Sequence, residues 1–113
     1  MLSEKEAGYL RDVIHYITLA DRFTQGASYE NLRDDDRTLL AVIRSLEIIS
    51  EASRHLSDEL KARHPEIPWR AMAAAGNFYR HNYEEVTSLR VWKTLREDLP
   101  PLRAAVEAEL ARG

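Results

Sequence analysis

The sequence predicts an all-α fold, an up-and-down bundle of four to five helices, and three observations predict it. Apolar residues recur at three- and four-residue spacing over most of the chain, and no segment alternates with period two over a useful length. Chain breakers are scarce, with four Gly and four Pro in 113 residues, and most stand at the ends of periodic stretches. There is no internal repeat and no low-complexity tract.

The elements follow in order. Ala7, Leu10, Val13, Ile14, Ile17 and Ala20 mark one face of a first helix, with Ser3 as N-cap and Gln25-Gly26 as its stop. Ser3 and Glu6 have the spacing of a capping box. Residues 27–34 read as a connector from which Tyr29 and Leu32 tuck onto the core. Asp34, Asp35 or Asp36 opens the longest helix, which carries Leu39, Val42, Ile43, Leu46, Ile49, Ala52 and Leu56. Ser57 caps a short turn through Leu60, and His64-Pro65-Glu66-Ile67-Pro68 breaks the pattern. Pro68 suits a first helical position, so Trp69 to about Arg80 forms the next helix. Thr87 or Ser88 opens another, with Leu89, Val91, Trp92, Leu95 and Leu99 as its apolar residues. Pro100-Pro101 predicts a kink or break before a last short helix, Leu102 to Ala111.

Composition narrows the function. The length suits one domain, residues 1–113, with one modest core. Zero Cys excludes a disulfide framework, a thiolate zinc site and a cysteine nucleophile. A net charge of −3 supplies no global basic field for nucleic acid, so any such contact needs positive charge concentrated locally. The longest aliphatic run, Leu39 to Ile43, is too short to cross a bilayer. Met1-Leu-Ser-Glu-Lys-Glu lacks the layout of a signal peptide, and the cytoplasm is the expected location, with no membrane partner.

Two groups of polar residues stand out. Arg37, Arg44, Glu47, Glu51 and Arg54 recur at spacings of seven, three, four and three along one side of the long helix. Leu40, Ile43 and Ile48 widen the apolar face beside them. Such a row is either a solvated face or a polar seam against a second protomer. The second group is Asn77-Phe78-Tyr79-Arg80-His81-Asn82-Tyr83-Glu84-Glu85, beside an expected helix end. On a continuing helix His81 and Tyr83 would point about 200° apart, so they converge only if the helix ends or loosens near Asn82. The cluster is either a polar helix end or a phosphate-handling site, with imidazole for proton transfer, guanidinium for charge and phenol as donor. His15, His55 and His64 have no metal-ligand spacing, so no metal and no cofactor are expected.

The chain resembles the HepT-like toxins, HEPN-domain ribonucleases that form the toxin half of HepT–MntA toxin–antitoxin pairs. Five short blocks carry the likeness in order: Tyr9-Leu10-Arg11-Asp12; Ala41 to Ala52; Pro65 to Arg70; Gly76-Asn77 leading to Arg80-His81-Asn82-Tyr83; and Val91-Trp92 with Glu97-Asp98-Leu99-Pro100. The resemblance implies a homodimer with active sites at the subunit interface and metal-independent cleavage of an RNA substrate. It also implies a type VII system, in which a cognate MntA-like nucleotidyltransferase antitoxin silences the toxin by transferring AMP from ATP onto the motif tyrosine. His81 and Tyr83 fall on the family's His-x-Tyr, and Asn77 on its preceding Asn. Arg44, Glu47 and Glu51 fall on its polar positions in the long helix. The family also places an Arg five to seven positions before the His, where this chain has Ala74, Ala75 and Gly76. Arg80 is the nearest substitute. The implied catalytic group is therefore His81, Arg80 and Tyr83, with Tyr83 the modified residue and Asn77, Arg44, Glu47 and Glu51 in support. The missing Arg points to an alternative, a catalytically weak or inactive binding subunit that partners a nucleotidyltransferase.

Overall fold

The computed structural model describes residues 2–81 and 85–113, with the side chains of 77–81, 85 and 86 outside the description. The described residues are mostly helical, with no strand among them. Helix α1 (Glu4–Phe23) opens as expected: the Ser3 hydroxyl accepts the Glu6 N–H at 3.0 Å. The capping box is only half made. The Glu6 carboxylate instead accepts the Ser57 N–H at 2.7 Å, tying the start of α1 to the far end of the long helix. Gly26, at φ 74°, turns the chain after α1 in a conformation that L side chains resist.

The expected connector is in part a helix, α2 (Tyr29–Asp34). Its N-terminus holds the complete capping box that α1 lacks, with Ser28 Oγ accepting from Asn31 N–H and Asn31 Oδ1 from Ser28 N–H. An Asn in the Glu/Gln position of that motif hid it from the sequence. Leu32 is buried, so this helix docks where the tucked connector was expected.

Asp35 caps α3 (Asp36–Arg54), accepting from both the N–H and the hydroxyl of Thr38. Those bonds, the hydroxyl first, hold its carboxyl below the usual range. Ser57 caps the short α4 (Asp58–Ala62). Pro68 stands just before α5 (Trp69–His81) rather than inside it, and its carbonyl accepts the Met72 N–H at 2.9 Å.

The C-terminal third differs most from expectation. Helix α6 (Glu85–Lys93) begins ahead of Thr87, and α7 (Leu99–Arg112) begins ahead of the two prolines. Between them Thr94–Asp98 form a π turn, in which the Leu99 N–H reaches back five residues to the Thr94 carbonyl. Pro100 and Pro101 have no N–H to give, and their rings crowd the carbonyls four residues back. A wider turn absorbs both conflicts, so the helices join through the π turn instead of breaking at the prolines.

The core joins α1, α3, α6 and α7, with Leu10, Val13, Ile17, Val42, Val91 and Leu102 almost fully enclosed. Each such side chain contributes about 1.5–3 kcal/mol by leaving water. Leu40 departs from expectation: it is 54% exposed, so the apolar face of α3 is narrower than its sequence suggests. One buried polar cluster closes the lower end of the fold. Glu109 of α7, 3% exposed, accepts from Arg63 at 2.7 and 3.2 Å and lies 2.6 Å from His64 Nε2. The Arg63 hydrogen bond, with help from His64, pulls the Glu109 carboxyl down to about 2. No helix among the described residues is long and apolar enough to cross a membrane.

Candidate active site

The site is built where α5 lies against α3. Ser50 Oγ donates to the Ala73 carbonyl at 2.9 Å and accepts the Gly76 N–H at 3.2 Å. One turn on, Arg54 Nε donates to the same Ala73 carbonyl at 3.1 Å. A Cβ on Gly76 would stand 3.0 Å from Ser50 Oγ and 3.6 Å from the Glu47 Cα, so glycine is what lets the helices meet this closely. Arg54 beside Ala73 and Glu47 beside Gly76 define an antiparallel register.

That register decides which polar residues share a neighbourhood. At 100° per residue, Ala73, Gly76 and Arg80 occupy the line of α5 that meets α3. Ala74, Asn77 and His81 occupy the adjoining line, within about 60° of one another. Asn77, Arg80 and His81 are thus placed on neighbouring lines of one helix, although their side chains are outside the description. Tyr83, and the helix end expected near Asn82, lie outside the described residues.

On α3 the expected row exists. Arg44 reaches Glu47 at 3.9 Å, and Glu51 reaches Arg54 at 3.3 Å. Arg44 is well exposed while the Glu47 side chain is only 14% exposed, so the row runs from solvent into the α3–α5 seam. Arg44, Glu47 and Glu51 also border a cleft of about 270 Å³ between α1 and α3. His55 completes that cleft. Its Nε2 lies 3.3 Å from Glu51 Oε1, and its ring stacks on Tyr9 with centroids 4.5 Å apart. His55 has no metal-ligand spacing in the sequence and no place in the expected site. The four-residue step from Glu51 was the available signal, but the Tyr9 stack joins residues too far apart in sequence to be read. Among the described residues no group of three His, Asp or Glu is gathered as a metal site would require.

With this geometry in place, comparison with known proteins settles the family. The family model described as Ribonuclease HepT-like matches residues 13–109. The chain belongs to the HepT-like ribonuclease family. A protein of Thermococcus cleftensis named "Probable ribonuclease HepT" is 42% identical over 99 residues, covering 88% of this chain and 90% of that one. A candidate RNase of Methanocaldococcus jannaschii is 31% identical, covering 88% and 91%. Another, from Caldanaerobacter subterraneus subsp. tengcongensis, is 29% identical over 92% and 93%. No solved structure matches the chain significantly. The HepT-like match takes in α3 and α5 whole, and therefore both polar groups of the site.

Proposed function

We propose that this chain is a metal-independent endoribonuclease, the toxin of a type VII HepT–MntA-like toxin–antitoxin pair, working as a homodimer in the cytoplasm. The observation that supports the reading is the α3–α5 seam inside the family match, where Glu47 of the α3 row lies against Gly76, the residue before Asn77. In this reading His81 takes the proton of a ribose 2′-hydroxyl or returns one to the leaving oxygen. The 2′ oxygen attacks the adjoining phosphorus and the bond to the 5′ oxygen breaks. The proton lost at the first oxygen is regained at the second, so the step balances without a co-reactant. Arg80, with Arg44, stabilises the crowded phosphate, supported by Asn77, Glu47 and Glu51.

Tyr83 is the control point of this reading. Its phenol oxygen attacks the α-phosphorus of ATP on the antitoxin, pyrophosphate leaves, and the phenol proton passes to water. The AMP so attached puts bulk and negative charge where an RNA phosphate must sit. The test is induction in a heterologous host of the wild type beside His81→Ala. Growth arrest and RNA breakdown with the wild type alone are expected; equal growth and equal RNA profiles would sink the ribonuclease reading.

A second reading, a non-catalytic subunit that presents Tyr83 to a nucleotidyltransferase, draws on one observation. Ala74, Ala75 and Gly76 supply no cation, and at Gly76 a larger side chain would crowd Ser50.

A further inference from the structure

On the other side of α5 from the His81 line, α5 and α6 diverge over α3 and leave an open cavity of about 160 Å³. Its walls are apolar, formed by Leu46, Ile49, Met72, Ala75 and Leu99. Its mouth is not: Arg90 and Lys93 of α6 stand there, with Asp98 at the end of the π turn. The space would hold about five waters at roughly 30 Å³ each, and it is well below the roughly 300 Å³ at which pockets for drug-sized molecules begin. It therefore suits one ring system and not a whole cofactor.

The chemistry of the walls selects among such rings. Flat aliphatic faces favour a planar apolar body. A half-buried carboxyl, Asp98, supplies an acceptor for a ring edge, and burial together with Glu97 shifts it upward against the opposing pull of Arg90. Two cations one turn apart favour an anion attached to that ring. In a chain of net charge −3, this mouth carries two exposed cations, Arg90 and Lys93, beside the acidic group of Asp98. A planar ring with a polar edge and an attached phosphate is a nucleotide unit.

We propose that this cavity binds a single nucleobase with its phosphate on Arg90 and Lys93, and that it seats one base of a bound RNA strand away from the cleavage site. Arg90 and Lys93 act as point charges on the backbone, while the apolar slot takes the base by stacking and burial. The choice of RNA rests on the ribonuclease reading; the nucleotide chemistry of the cavity does not.

The chain has two methionines, Met1 and Met72, and Met72 lines the cavity. Labelling both methyl groups with carbon-13 gives a reporter and an internal control in one spectrum. The probes are short single-stranded RNA, the same RNA made abasic, and AMP, added to the His81→Ala protein so that nothing is cut. Intact RNA is expected to shift the Met72 methyl and leave Met1 in place, whereas abasic RNA is expected to move neither. A Met72 shift with AMP as strong as with RNA would identify the source as a free nucleotide and keep the site. A Met72 methyl unmoved by saturating RNA and AMP overturns the proposal. In anisotropy measurements Ala75→Leu, which fills the slot, is expected to weaken intact RNA about tenfold and abasic RNA hardly at all. Equal losses for both RNAs would also overturn it. If Ala75→Leu fails to fold, the Met72 spectrum of the His81→Ala protein still decides. Wild-type protein that cuts no RNA yet shows the Met72 shift sinks the ribonuclease reading alone; cleavage without the shift sinks the pocket alone.

Discussion

Ser50 and Gly76 are locked together: the hydroxyl of one accepts the N–H of the other at 3.2 Å and is itself committed to the Ala73 carbonyl. Gly→Ala inside a helix is ordinarily worth up to about 1 kcal/mol of gain. Here the new Cβ would meet Ser50 Oγ at 3.0 Å and Ser50 Cβ at 3.2 Å. The Cβ cannot rotate away, and moving the hydroxyl breaks its bonds. Gly76→Ala is therefore expected to destabilise by about 1–2 kcal/mol, as overpacking of a close helix contact does. Thermal melts check this, and Gly76→Ala with Ser50→Gly should recover most of the loss.

The Glu109 cluster makes stability depend on pH in a stated direction. The folded carboxyl sits at about 2, below its ordinary 4.5, so its contribution is full above 4.5 and fades as pH falls toward 2. A shift of that size corresponds to about 3 kcal/mol as a ceiling. Glu109→Gln should lower the melting temperature at neutral pH, with the gap to wild type narrowing on acidification. A gap that stays constant from pH 7 to pH 3 would mean that the carboxylate charge is not what holds α7 to Arg63.

If the charged row of α3 is a subunit seam, it is sensitive to sign. Arg44 is the exposed cation beside Glu47 and near Glu51, and Arg44→Glu makes that stretch wholly acidic. Sedimentation velocity is expected to show a dimer for the wild type and a dissociation constant raised tenfold or more for the variant, since desolvated like charges cost more than exposed ones. An unchanged constant would place the interface elsewhere and leave the row as a solvated face.

What the sequence revealed follows from how local each signal is. The caps at Ser3, Asp35 and Ser57 bond to residues three positions on; Ser3 and Ser57 were readable from the sequence alone, and Asp35 as one of three neighbouring candidates. The π turn was not, because two prolines in a first turn normally announce a break, and the packing of α6 on α2 and of α7 on α1 that fixes how the two helices join is not encoded locally. In the site, the row from Arg44 to Arg54 was legible because it repeats on one helix. The pairings of Ser50 with Gly76 and of Tyr9 with His55 join residues 26 and 46 positions apart, and no periodicity encodes them. Gly76 lies inside α5, where glycine is ordinarily a cost to the helix. It is the contact that brings the helix in.

The same geometry says where a lost cation would have to be restored. Gly76 is a poor place for one, because an Arg side chain would begin with a Cβ only 3.0 Å from Ser50 Oγ. Arg80 stands on the line of α5 that faces α3, not on the line of His81. Ala74 is different: it is exposed, and it lies seven residues before His81, about 20° off the same line and roughly 10 Å along the axis. A guanidinium from Ala74 reaches the space between the two, with Asn77 between them on the same line. Ala74→Arg is accordingly expected to raise RNA cleavage by tenfold or more over the wild type while leaving the melting temperature within a few degrees, as surface changes in a helix do. Gly76→Arg should instead unfold the α3–α5 seam and cleave nothing. If Ala74→Arg melts like the wild type and cleaves no faster, a missing cation on this line is not what limits the chemistry. Wild-type cleavage that falls on Arg80→Ala would then assign the phosphate charge to Arg80, and a chain silent in all three forms would be the non-catalytic partner of a nucleotidyltransferase.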